Sequence, residues 1–198
     1  IMGAVFYNQA VDNYLDEKME VDTKPNDKPY KDGACYTGKE HSWDEAFGYW
    51  GAAAHSLLLS AEQNYNVAKK KDLASADFNG DGVVDLKSEY VFAHAYYASS
   101  FDKGGKTTYL EDITRAFLDG RKLITSANGE KLSDMSRARL MAYVDDISSN
   151  WEKVIAESVF KYAGSTYKSL VALEDVSNAD LAKEFDKYMK YWLSLIHI

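Results

Sequence analysis

The chain has almost no cysteine and almost no proline. Cys35 is the single cysteine among 198 residues, so an intrachain disulfide is excluded, although this alone does not separate a cytosolic from an envelope protein. Pro25 and Pro29 are the only prolines and share one polar stretch. Beyond them, no residue stops a helix by lacking a backbone N–H. Alternating β-branched runs, the mark of a half-buried strand, are nearly missing. Long apolar runs are absent as well: the stretch around Ala52–Leu59 is too short to span a bilayer. Positive charge is in deficit, with 23 Lys and Arg against 31 Asp and Glu, a formal charge of −8. That balance repels phosphate backbones and argues against nucleic acid as a partner, while it favours divalent cations as counter-ions.

Aromatic residues are plentiful, with 15 Tyr, 8 Phe and 4 Trp, so tight packing with polar tips at the rim is expected. Apolar residues recur at three- and four-residue spacing. Leu132, Met135, Leu140, Val144, Ile147, Trp151, Val154, Ser158 and Tyr162 trace one face of a long helix, and Met2, Phe6, Ala10 and Tyr14 one face of the first. Further helices are predicted at about Trp43–Lys70, Leu86–Phe101, Thr108–Ser126 and Ala179–Trp192. Thr108 with Glu111 and Ser177 with Asp180 have capping-box spacing at helix starts, and Gly104-Gly105 and Asn128-Gly129 read as breaks. Asp22–Gly38 is a long polar connection of the kind that is often functional. The class is all-α.

The ends read as those of a fragment. The chain opens at Ile1-Met2-Gly3 inside an apolar-periodic segment. It closes on Leu193-Ser194-Leu195-Ile196-His197-Ile198, which matches the translation of a transposase end sequence used in preparing DNA libraries. Residues 1–192 are therefore expected to form a single all-helical domain, and 193–198 are set aside, His197 with them.

Residues 77–89 read Asp-Phe-Asn-Gly-Asp-Gly-Val-Val-Asp-Leu-Lys-Ser-Glu. Calcium takes about six to eight oxygens, which short side chains at alternating positions of a tight loop supply. Asp77, Asn79 and Asp81 fill the first, third and fifth positions. Gly82 stands at the sixth, where the chain must turn sharply, the carbonyl of Val83 is the donor at the seventh, and Asp85 is at the ninth. Val84 is expected to pack inward, and a helix is expected on each side, as in an EF-hand. Ser88 occupies the twelfth position, where a bidentate glutamate is usual, and Glu89 follows one residue later. That departure implies weak affinity, roughly 10⁻⁴–10⁻³ M, and a structural role for the ion. The alternative is an Asx-rich turn with no ion.

A second cluster is His41-Ser42-Trp43-Asp44-Glu45. On a helix His41, Asp44 and Glu45 fall within about one turn, roughly 6 Å of rise, and could hold a transition metal. Ser42 and Glu45 also have capping-box spacing, which would place His41 ahead of the helix and spend Glu45 on a backbone amide. His55, fourteen residues on, is roughly 21 Å along the axis from His41, too far to share an ion. His94, set among aromatics, reads as a hydrogen-bonded core residue, and Cys35 has no evident partner base. No phosphate loop, nucleophile elbow or zincin signature is present.

The segments Gly3–Asp16, His41–Gly51 and Asp77–Tyr90 together resemble the bacterial domain-of-unknown-function 4856 family, whose members are predicted envelope proteins, many of lipoprotein type. The resemblance implies a periplasmic or cell-surface location and a last helix or helices beyond Tyr191-Trp192. That family in turn is similar to imelysin, a helical envelope protein with a Gly-x-His-x-x-Glu signature. Gly38-Lys39-Glu40-His41-Ser42-Trp43-Asp44 is the nearest match here, with one extra residue before His41 and Asp44 in place of glutamate. The resemblance implies an imelysin-like helical bundle and association with iron acquisition. Three functions follow as expectations. The first, and preferred, is a non-enzymatic calcium-stabilised envelope protein that binds a metal complex or an outer-membrane partner in iron or metal uptake. The second is an imelysin-like metallopeptidase using His41 with Asp44 or Glu45. The third is a structural or adhesive surface module.

Overall fold

The computed structural model describes residues 2–20 and 23–198. Among them the chain is all-α, with eight α-helices and no β-strand, only an isolated bridge pairing Pro29 with Thr37. Helix α1 (Met2–Tyr7) continues as a π-helical segment, Asn8–Glu20, and is followed by α2 (Gly38–Trp50), a 3₁₀ turn (Ser56–Leu58), α3 (Ala61–Ala68) and α4 (Leu73–Ala76). Helices α5 (Ala93–Asp102), α6 (Tyr109–Ser126), α7 (Asp134–Ala172) and α8 (Leu181–His197) complete the order. No helix among the described residues is long and apolar enough to cross a membrane.

The core lies where the π-helical segment, α2 and α6 meet the first half of α7. Trp43, Trp50 and Trp151 are buried together with Leu15, Phe117, Ile113 and Ile147. The Trp50 and Trp151 rings meet edge to face with centroids 4.9 Å apart, an arrangement that orients the ring quadrupoles favourably. Each indole of α2 also has its N–H satisfied: Trp43 Nε1 donates to the Phe117 carbonyl at 2.8 Å and Trp50 Nε1 to Thr114 Oγ1 at 3.1 Å. The predicted stripe on α7 is buried at Leu140, Val144, Ile147, Trp151, Val154 and Ser158, whereas Met135 in its first turn is exposed. Beyond Ser158 only Ser169 is buried on α7, and no residue of α8 is buried.

Several predicted boundaries move. The expected helix at 43–70 divides: α2 ends at Trp50, and Gly51 caps it at φ 84°, where a Cβ would also sit 2.7 Å from the Phe92 carbonyl oxygen. His55 therefore lies outside the helix that carries His41. The expected helix at 86–101 begins only at Ala93, with residues 86–89 forming a turn. The capping box of α2 is Thr37 with Glu40, not Ser42 with Glu45, so the helix starts five residues earlier and includes His41. At α6, Thr108 bonds Asp112 rather than making a cap bond, and Ser177 bonds the Asp180 side chain ahead of α8. The break at Asn128-Gly129 stands, both residues having positive φ.

Candidate metal centre

Loop 77–89 follows the single turn of α4 and ends in the turn at 86–89, with α5 starting only at Ala93, so neither flank is a full EF-hand helix. Its side-chain oxygens fold back on its own amides. Asp77 Oδ1 accepts from Gly80 N at 2.9 Å and Asp81 N at 3.1 Å, and its Oδ2 accepts from Gly82 N at 2.8 Å. Asn79 Oδ1 takes Asp81 N, Asp81 Oδ1 takes Val83 N and Asp85 Oδ1 takes Lys87 N, each at 2.8 Å. Gly80 and Gly82 supply positive φ, 73° and 83°, where a side chain would be strained.

Glu89 is the buried member of the set, 5% exposed. Its Oε1 accepts from the amides of Phe78 and Asn79 at 3.2 Å each, and its Oε2 from Asp85 N at 2.9 Å. Glu89 thus spans the loop from the last position to the second and third. Val84 packs against the core as expected, while Phe78, Val83 and Leu86 face solvent. From outside, His55 braces the loop: its ring stacks on Phe78 with centroids 4.9 Å apart, and its Nε2 lies 3.0 Å from the Ser75 carbonyl.

Among the described residues no three His, Cys, Asp or Glu side chains are gathered into a metal-ligating group. In the loop the reason is visible: the carboxylates are turned to amides spaced along the backbone. Asp77 Oδ2, Asn79 Oδ1, Asp81 Oδ1 and Asp85 Oδ1 each take one of these amides and retain a second acceptor direction, because an sp² oxygen carries two lone pairs, whereas Asp77 Oδ1 takes two. No ion pair among the described residues engages Asp77, Asp81, Asp85 or Glu89.

The second cluster is divided by Arg121, which the sequence reading missed. Arg121 Nε donates to Asp44 Oδ1 at 2.8 Å and its Nη1 to Glu40 Oε1 at 2.6 Å, tying α6 to the first two turns of α2. Asp44 is thereby held by a guanidinium. His41 and Glu45 do come together, Nε2 to Oε1 at 3.5 Å, and the His41 ring lies tilted against Tyr30 with centroids 3.9 Å apart. Glu40 sits among the Thr37 amide, the Thr125 hydroxyl and Arg121. Burial pushes its carboxyl up, but those donors outweigh it and leave it below the usual range.

His94 is a core residue, as expected, although its Nδ1 has no partner among the described residues. It stands edge-on to Trp151, and burial lowers its pKa to about 4. Cys35 is exposed.

A family model described as a domain of unknown function, DUF4856, matches residues 1–179. The chain belongs to that family. The DUF4856 match takes in α1 to α7, loop 77–89 and the Glu40–Arg121 pair, and it ends two residues before α8 begins at Leu181. No curated protein and no solved structure matches the chain.

Proposed function

We propose that this DUF4856 member is an extracytoplasmic calcium-binding helical protein that serves as a binding component in metal acquisition. Calcium enters at Asp77, Asn79, Asp81, Asp85 and the Val83 carbonyl, with Glu89 closing the loop. The observation that carries the reading is the set of four carboxylates, Asp77, Asp81, Asp85 and Glu89, within thirteen residues and without an ion-pair partner among the described residues. Like charges held that close repel one another, and a divalent ion is the counter-charge that offsets them. The glycine turns fix the loop backbone, which lowers the ordering cost of binding, while the carboxylates must turn from their amides toward a common point. The envelope location and the link to metal uptake rest on the resemblance and the acidic charge.

Thermal melts of purified protein in millimolar calcium and in chelator test the calcium reading. Stabilisation by calcium, absent with magnesium at the same concentration, is the expected result. Identical midpoints in calcium and chelator would remove it.

A further inference from the structure

One cavity of this acidic protein is lined by several lysines. A concavity of about 400 Å³ is lined by Lys24, Lys28, Lys39 and Lys131, with Asp27 as the single acid among the described residues of its wall. That volume lies in the range of small-ligand sites, roughly 300–1,000 Å³. The protein as a whole carries −8, whereas the described residues of this lining hold four lysines against one aspartate. At physiological salt, charges beyond roughly 8 Å are largely screened, and the potential inside a recess follows its own lining.

The walls are fixed by long-range bonds. Asn26, 3% exposed, donates from Nδ2 to the carbonyls of Ile124 at 3.2 Å and Glu130 at 3.1 Å, and its Oδ1 accepts from Thr37 Oγ1 at 2.8 Å. One side chain therefore fastens the segment carrying Lys24 and Lys28 to the α6–α7 turn carrying Lys131 and to the cap of α2. Lys39 N donates to the Pro25 carbonyl at 3.0 Å, which sets the first turn of α2, with the buried Lys39, against the same segment. Cations that line one recess repel one another unless something negative compensates. No salt bridge among the described residues involves Lys24, Lys28 or Lys131.

We propose that this cavity, between residues 23–28, the first turn of α2 and Lys131-Leu132, binds a small polyanion through clustered phosphate or carboxylate oxygens. Ammonium groups from separate chain segments suit such a ligand, because each is a point charge on a flexible stem and needs no planar partner. The inference is independent of the calcium loop.

Calorimetric titration of the full chain with pyrophosphate and with citrate tests it, in calcium-free buffer because both probes chelate that ion. Saturable binding of at least one probe is expected, weakening with added salt; the probe that binds better distinguishes phosphate from carboxylate recognition. Lys28→Gln/Lys131→Gln, both exposed positions, should weaken binding at least about tenfold with an unchanged melting midpoint. Lys87→Gln/Lys106→Gln, which removes the same charge elsewhere, should leave it unchanged. Binding of neither probe, or equal weakening by the two double variants, would overturn the proposal.

Discussion

Glu89 reaches back ten residues to Asn79, whose backbone amide it binds at 3.2 Å through the oxygen that also takes the Phe78 amide. Its other oxygen holds Asp85 N. One carboxylate thereby gathers three amides and brings the two ends of the acidic loop together.

Glu89→Gln tests that role. Glutamine keeps one acceptor oxygen and presents an NH₂ where Oε2 accepts from Asp85 N, so at least one amide bond is replaced by a donor facing a donor. Loss of a buried charge-assisted bond of this kind costs about 1.5–3 kcal/mol. Urea denaturation in chelator should show that loss, and the calcium-induced rise in melting midpoint should shrink in the variant. A variant as stable as the parent in chelator, with the full calcium response, would show that Glu89 neither braces the loop nor contributes to the ion.

How much of this was legible in the residues differs from element to element. The acidic loop could be picked out because its Asp, Asn and Gly residues lie at short local spacing, although the helices expected on both sides are not there. The α7 stripe could be read because a single periodicity runs through it. The start of α2 was ambiguous, because Thr37-x-x-Glu40 and Ser42-x-x-Glu45 both have box spacing; the first prevails because Glu40 meets Arg121, 81 residues away. The end of α2 at Gly51 likewise meets a distant backbone, that of Phe92. Arg121 gave no signal in sequence: on an exposed-looking stretch of α6, nothing local tells a buttress for α2 from a solvated charge. The lysine cavity was hidden for the same reason, since Lys131 is far in sequence from the others and Asn26 ties its turn to them.

Gly120 should not tolerate even one methyl group. A Cβ at this position would lie 2.1 Å from Cζ2 of Trp43, an indole whose N–H is bonded to Phe117 on the same helix. Alanine gains up to about 1 kcal/mol of helix propensity, but either the ring or the α2–α6 spacing must then give way, as in overpacked cores that lose about 1–3 kcal/mol. Gly120→Ala is therefore expected to lower stability by about 2 kcal/mol, read from the urea midpoint, and to change Trp fluorescence. Equal or greater stability would mean that α6 stands further from α2.

Arg121→Met removes the cation between Glu40 and Asp44 while keeping the aliphatic bulk. The Glu40 side chain is only 10% exposed, and stranding a nearly buried carboxylate is costly, about 3 kcal/mol at the low end for fully buried pairs. With solvent reaching Arg121 and Asp44, about 2 kcal/mol is expected. Glu40→Gln in the Arg121→Met background should recover part of the loss, giving a coupling of about 1 kcal/mol or more in a double-mutant cycle. Strict additivity would show that the two groups do not interact in solution.

His94 should make stability depend on pH in the weakly acidic range. Burial lowers its pKa from 6.5 to about 4, so between those values the unfolded chain holds a proton that the folded chain does not. Stability attributable to this group is complete above pH 6.5, declines as pH falls, and stops declining below about pH 4. The full span corresponds to about 3 kcal/mol. His94→Leu abolishes the titration while leaving the carboxylates as they are. Urea titrations of both proteins at pH 7 and pH 4.5 should therefore show the parent losing about 2–3 kcal/mol more than the variant over that interval. Parallel losses would mean that the imidazole protonates in place, with water reaching its unpartnered Nδ1.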